Sequence, residues 1–131
     1  MIALVALALL AAGQPADALD CDDARSQAEM NACAARDFEA ADAELNRVWR
    51  QAIGNARDLD REPDANADER PSYENTLRDA QRFWLAFRDA QCAWEGYEAR
   101  GGSMETMLYE SCRAGLTRQR TGQLRGASPE Q

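Results

Sequence analysis

The sequence contains no histidine and no lysine, so all fifteen of its basic residues are arginine. Histidine is the side chain that changes charge near neutral pH, and it is also the commonest metal ligand. Its absence removes the usual general base of an enzyme. The sequence also lacks a GxSxG motif, a phosphate-binding loop and a CxxC redox motif. We therefore predict that the protein is not an enzyme, has no metal site and uses no cofactor.

Positive charge is scarce relative to negative charge. Fifteen Arg oppose twenty-three Asp and Glu, so the 131-residue chain has a net charge of −8 and a pI near 4.5. Nucleic acid is excluded as a partner, because its phosphates would repel such a chain. A basic protein fits better. The length indicates one domain, and the 45% of apolar residues are enough to form a core.

Only the N-terminus has a long apolar run. Residues 2–12 read IALVALALLAA, which is too short to cross a membrane as a helix. Ala16 and Ala18 then match the small-x-small pattern of signal-peptidase sites. We predict a cleaved signal peptide over residues 1–18, no membrane span, and a periplasmic or secreted domain over 19–131 with its core at about 21–125. The alternative is a lipoprotein anchored through Cys21, for which Asp20 is a poor preceding residue.

Three segments have apolar residues at helical spacing, and none alternates as a strand does. The first starts at a capping box, Ser26 to Glu29, and runs from 27 to the high fifties. The second runs from about 73 to 99 and ends at Gly101, and the third ends near Leu124. These patterns predict an all-α fold, a small antiparallel three-helix bundle.

The second helix has the strongest apolar stripe, and we expect that stripe to face the core. Its members are Leu77, Ala80, Trp84, Phe87, Gln91 and Trp94, extended by Phe83, Ala90 and Tyr97. We expect all three tryptophans, Trp49, Trp84 and Trp94, in the core, since large aromatic side chains bury the most area.

All four cysteines lie in the predicted mature domain, and an even number in an exported chain indicates two disulfides. Cys92 and Cys112 are each ten residues from Gly102. In an antiparallel helical hairpin, equal distances from the turn place two residues at the same level. We therefore predict a Cys92–Cys112 bridge, which leaves Cys21 to pair with Cys33.

Several short motifs, called phrases below, follow one another along the chain in a recognisable order. They are MNACA from Met30, the pattern Gln81-x-x-Trp84-x-x-x-Arg88-Asp89-x-x-Cys92, and Thr117-x-x-Arg120 after Cys112. Together they resemble the LprI-like family of exported bacterial proteins, named for a lysozyme inhibitor, over about residues 21–124. The resemblance implies a small helical envelope or secreted domain, and it supplies no catalytic residues.

The polar residues of these phrases allow two interpretations. One is a polar groove that holds a ligand. The other, which we favour, is a structural network in which Arg88 pairs with an acid such as Asp42 or Asp89. The residues concerned are Asp42, Asn46, Gln81, Trp84, Arg88, Asp89, Thr117 and Arg120.

Residues 58–71, read as a loop or a frayed helix end, are strongly acidic. This segment is either a solvated connector or a docking surface for a basic protein such as lysozyme. The candidate partner-binding residues are Asp58, Asp60, Glu62, Asp64, Asp68 and Glu69. We predict a non-catalytic lysozyme-inhibitor-like protein. The alternative is a periplasmic structural, stress-related or toxin-immunity protein.

Overall fold

The computed structural model describes residues 19–126, and within them all regular structure is helical. Helix α1 spans Gln27–Asp60, α2 spans Tyr73–Gly96 and α3 spans Glu105–Gly126, with a 3₁₀ turn over Tyr97–Ala99. The all-α, three-helix prediction is confirmed. The predicted signal peptide, residues 1–18, lies outside the described residues. None of the described helices is long and apolar enough to cross a membrane.

The start of α1 follows from its sequence. Ser26 Oγ accepts a hydrogen bond from the Glu29 amide at 3.1 Å, and the Glu29 carboxylate accepts one from the Ser26 amide at 3.1 Å. This is the predicted capping box. The Arg25 amide also donates to Glu29, at 2.7 Å. The Arg25 and Ser26 amides together lower the pKa of Glu29, Arg25 contributing most.

The helices run up, down and up, so α1 and α3 are parallel and α2 is antiparallel to both. The core lies where α1 meets α3. It consists of Leu45, Val48, Ala52 and Leu124, with Trp49, Leu77 and Trp84 packed against them. At the other end of α3, Asn31 Nδ2 donates to the Ser103 carbonyl at 2.9 Å. The interface between α1 and α3 therefore extends along nearly the whole of α3.

Both predicted disulfides are present. Cys21 joins Cys33 with a Cα–Cα distance of 5.6 Å, and Cys92 joins Cys112 with a Cα–Cα distance of 5.4 Å. Near the second bridge α2 and α3 approach closely, since a Cβ on the buried Gly96 would lie 3.4 Å from the Glu105 carbonyl oxygen.

The turn that follows contains Gly101 at φ +78°, a conformation that glycine adopts at little cost. The Gly101 amide donates to the Glu105 carboxylate at 2.7 Å, which ties the turn to the first residue of α3.

The predicted inner face of α2 is right only in part: Leu77 and Trp84 pack against the core, but most of the predicted stripe does not. Gln81, Arg88, Cys92 and Gly96 are the buried residues of α2, with Leu77 and Trp84 half-buried beside them. Trp94, expected in the core, is 72% exposed. Other large residues of the expected stripe are also exposed, namely Phe83, Phe87 and Tyr97. The Cys92–Cys112 bridge accounts for the difference, because it turns Cys92 and the residues one helical turn away toward α3.

Candidate functional site

The acidic residues singled out from the sequence lie at one end of the bundle, where α1 leads into α2. Asp58 and Asp60 belong to the last turn of α1, and residues 61–72 form turns and irregular chain before α2. Residues 58–71 are called the acidic segment below. Both disulfides lie toward the opposite end.

Asp60 has a structural task within this segment. Its carboxylate accepts hydrogen bonds from the amides of Tyr73, at 2.8 Å, and Glu74, at 3.0 Å. These are the first two residues of α2, whose amides have no partner inside the helix. A carboxylate at this position also complements the helix dipole. Asp60 therefore joins the end of α1 to the start of α2.

Two further acids pair with neighbouring arginines. Asp58 bonds to Arg61 at 2.5 Å, and Asp68 accepts from the side chain of Arg70 and, at 3.1 Å, from its amide. The side-chain bond from Arg70 is the largest cause of the lowered pKa of Asp68, and the amide bond adds to it. Both pairs are exposed. Their charges are locally balanced.

The remaining acids of the segment, Glu62, Asp64 and Glu69, are exposed and form no ion pair with a described residue. Asp64 and Glu69 have φ near +60°, in the left-handed region that side chains other than glycine seldom adopt. The backbone turns sharply at both positions. These three carboxylates are the part of the acidic segment that is available to a partner.

Beside the acidic segment, α1 and α2 diverge to form an open groove of about 480 Å³. Its α1 wall contains Ala52, Ala56 and Leu59, and its α2 wall contains Tyr73 and Ala80. The groove exists because α1, with 34 residues, extends past the last described residues of α3, which has 22. It is mainly apolar and adjoins the acidic chain.

The polar residues of the family-like phrases lie in a different place, between the three helices. Arg88 is 4% exposed and contacts both other helices. It donates to Asp42 of α1 at 3.5 Å, to Asp89 at 2.9 Å and to Thr117 Oγ1 of α3 at 3.3 Å. Its guanidinium group also lies 5.2 Å from the centre of the Trp84 ring. A buried arginine is tolerated when its donors are satisfied in this way.

Sequence reasoning did not find a second arginine beside this network. Arg113 donates to Asp89 at 3.2 Å and to Glu110 at 3.3 Å, and its guanidinium group lies 3.7 Å from the centre of the Phe38 ring. Arg88 also lies against Phe38, at 5.1 Å. Phe38 is thus covered by two guanidinium groups. The sequence could have indicated this role, because Arg113 follows Cys112, and the bridge from Cys112 to Cys92 brings Arg113 toward α2.

Gln81 and Arg120 form a neighbouring contact between α2 and α3. Arg120 Nε donates to Gln81 Oε1 at 2.9 Å. Burial lowers the pKa of Arg120, although arginine remains charged. Asn46, on the exposed side, donates to Asp42 at 3.3 Å. The Arg120 guanidinium group also lies 5.9 Å from the centre of the Trp84 ring, which joins this pair to Arg88. The eight residues therefore form connected contacts across the bundle, and Arg88 at their centre is closed to solvent.

The fold and these sites define a class of protein: a three-helix domain joined by two disulfides and a buried arginine network, with an exposed acidic segment at one end. A family model described as "Lysozyme inhibitor LprI" matches residues 21–124. The chain belongs to this family, as its resemblance predicted.

Comparison with individual proteins adds one relative. The chain is 47% identical over 107 residues to an uncharacterized protein of Rhizobium meliloti (strain 1021), covering 81% of this chain and 76% of the relative. No solved structure gives a significant match. The relative supports the family assignment, and its name states no activity.

Proposed function

We propose that this protein is exported and binds a basic lysozyme, which it inhibits without catalysing a reaction. Membership of the family supports lysozyme as the target. Two disulfides support a location outside the cytoplasm, where disulfides persist. The proposed binding site rests on three exposed carboxylates that form no ion pair with a described residue. They are Glu62, Asp64 and Glu69, and they lie on a sharply turned segment.

The geometry of the acidic segment suits an electrostatic docking surface. Asp60 fixes the segment to the start of α2, so its free carboxylates are presented from an anchored chain. Lysozymes are commonly basic and use paired carboxylates to cleave peptidoglycan. An acidic surface speeds association with a basic protein more than it raises affinity. The buried arginine network has no direct role in this proposal.

Inhibition is tested by titration. The full-length gene is expressed, and the exported, oxidised protein is purified. It is then added to c-type and g-type lysozymes in a cell-lysis assay. We expect inhibition near one-to-one with one of the two classes. Absence of inhibition at a large molar excess over both would refute the proposal. N-terminal sequencing of the same sample determines whether residues 1–18 are removed.

The binding site is tested with a matched pair of triple variants. The test variant is Glu62→Gln, Asp64→Asn and Glu69→Gln, which neutralises the free acids with little change of shape. The control is Asp22→Asn, Glu39→Gln and Glu98→Gln, which removes the same charge from exposed positions elsewhere.

We expect the test variant to slow association with lysozyme at least tenfold at low salt, and the control to slow it much less. We also expect the wild-type rate to fall steeply as salt is added. Equal slowing by both variants would show that only net charge matters and would refute the acidic segment as the binding site.

A further inference from the structure

The solvent face of α2 carries an unusual concentration of aromatic side chains. Five are largely exposed: Tyr73 at 46%, Phe83 at 64%, Phe87 at 55%, Trp94 at 72% and, just past the helix end, Tyr97 at 45%. Scattered exposed apolar residues are normal on a protein surface, but a contiguous patch marks an interaction site. Sequence analysis assigned most of these residues to the core, and the bundle does not use them.

These residues form one continuous line. With the exposed small residues Thr76, Ala80 and Ala90, the positions are 73, 76, 80, 83, 87, 90, 94 and 97. The steps alternate between three and four residues throughout. This is the heptad spacing by which one helix packs along another, and it extends for roughly 36 Å. This set of eight residues is called the aromatic stripe below.

Three of the four mirror pairs of the aromatic stripe match in kind when the stripe is read in either direction. About its midpoint, at residue 85, Phe83 mirrors Phe87, Ala80 mirrors Ala90, and Tyr73 mirrors Tyr97. Thr76 mirrors Trp94. In an antiparallel pair of α2 helices centred on residue 85, two-fold symmetry brings each residue against its mirror position, so Phe83 meets Phe87 and Ala80 meets Ala90. We propose that α2 pairs with α2 of a second copy of this chain, antiparallel and centred on residue 85.

The groove between α1 and α2 supports this register. Thr76 lines the groove together with Tyr73, Leu77 and Ala80. In the proposed pairing, Trp94 of the second copy lies opposite Thr76, at the mouth of the groove. The largest and most exposed aromatic side chain thus meets a small side chain beside an open apolar space. Two-fold symmetry repeats this contact at the other end of the interface.

The area and the charges also fit. From their exposed fractions, the five aromatic side chains offer roughly 550 Å² per chain. The small residues and the groove walls add to this, toward the ~800 Å² per partner of a stable interface. None of the eight stripe positions is charged. Beyond the stripe, the exposed Arg100 would lie at the end where the second copy carries its acidic segment.

The first test measures mass in solution. We expect the exported, oxidised protein to have twice the mass of one chain in sedimentation equilibrium at tens of micromolar. Phe87→Glu places a carboxylate against Phe83 of the second copy, and we expect it to restore the mass of one chain. The matched control is Leu85→Glu, since Leu85 is an exposed apolar residue of α2 outside the aromatic stripe. Circular dichroism confirms that each variant is folded.

A wild-type protein with the mass of one chain would overturn the proposal. So would complete dissociation by Leu85→Glu with Phe87→Glu still dimeric. If Phe87→Glu fails to fold, Trp94→Ser gives the same test, since Trp94 is the most exposed of the five aromatic residues.

The second test determines the register. Ala80→Cys and Ala90→Cys are made as separate single variants, reduced mildly, mixed and reoxidised. The proposed pairing predicts a covalent dimer in the mixture and none in either variant alone, because position 80 faces position 90. A covalent dimer from Ala80→Cys alone would show that position 80 meets itself, as in a parallel pairing or one centred near residue 80, and would overturn the proposed arrangement. A mixture without covalent dimer would overturn it as well.

Discussion

On α2, the face packed against α1 and α3 presents Gln81, Arg88 and Cys92, whereas the face in solvent presents Phe83, Phe87 and Trp94. The inner face is held by directed bonds, most of which require a particular partner on another helix. The outer face offers apolar area that packs against neither α1 nor α3 and meets only exposed arginines, Arg82 at Phe83 and Arg100 at Tyr97. A helix built in this way uses polar chemistry to fix its position in the bundle and leaves its strongest hydrophobic face in solvent.

Removal of the Cys92–Cys112 disulfide is expected to have the largest effect on stability. Changing both Cys92 and Cys112 to Ala opens a loop with a sequence separation of 20 and leaves a cavity at the fully buried Cys92. We expect a loss of about 4 kcal/mol in the free energy of unfolding, measured by urea denaturation. The double Ala variant of Cys21 and Cys33, with a separation of 12, should lose about 3 kcal/mol or less. The reverse order would show that the Cys92–Cys112 bridge is not the larger of the two covalent contributions to stability.

The next prediction compares the loss of stability on replacing two arginines on different faces of α2. Arg88→Met removes a buried guanidinium group from two carboxylates and Thr117, and we expect a loss of about 3 kcal/mol. Asp42 and Asp89 are partly exposed and regain water, which limits the loss.

Arg82→Met is the matched control. It removes an exposed ion pair with Asp79 and an exposed contact with the Phe83 ring, 4.9 Å from the guanidinium group, and we expect a loss of less than about 1 kcal/mol. Equal losses in the two variants would contradict the structural interpretation of Arg88.

The smallest effect is expected on the outer face. Trp94→Ala should change the unfolding free energy of the dilute monomer by no more than about 0.5 kcal/mol, as for other surface positions. Trp84→Ala, ten residues away, should cost about 2 to 3 kcal/mol, because Trp84 packs against the core cluster. Thermal and urea denaturation measure both. A large loss from Trp94→Ala in the monomer would mean that the outer face contributes to folding.

The contrast between the two faces also explains which predictions from sequence were right. The ends of the helices and both disulfides could be predicted. They depend on features that are close together in the sequence, namely capping residues and the equal distances of two cysteines from a turn. The orientation of α2 could not be obtained from its apolar periodicity, since its apolar stripe is not its buried stripe. The positions of Cys92, Arg88 and Gly96, one turn apart, carried that information. A disulfide predicted at Cys92 requires its neighbours on the same side to face α3.

The site was predicted less completely than the fold. Among the acidic residues, nothing in the sequence distinguishes Asp60, which caps α2, from Glu62, which is free. That distinction depends on how the chain turns between the helices. Phe38 and Arg113 were missed for a similar reason, because their contact joins α1 to α3 across 75 positions of the sequence.

The placement of the two disulfides has a consequence for a chain that is cut. Cys21–Cys33 lies wholly before the acidic segment, and Cys92–Cys112 lies wholly after it. A protease that cleaves once between Arg61 and Pro71 therefore produces two polypeptides with no covalent bond between them. Each keeps its own disulfide, and only the packing of α1 on the α2–α3 hairpin holds them together. A single cut at this exposed end of the bundle thus makes the whole of α1 separable from the rest of the protein.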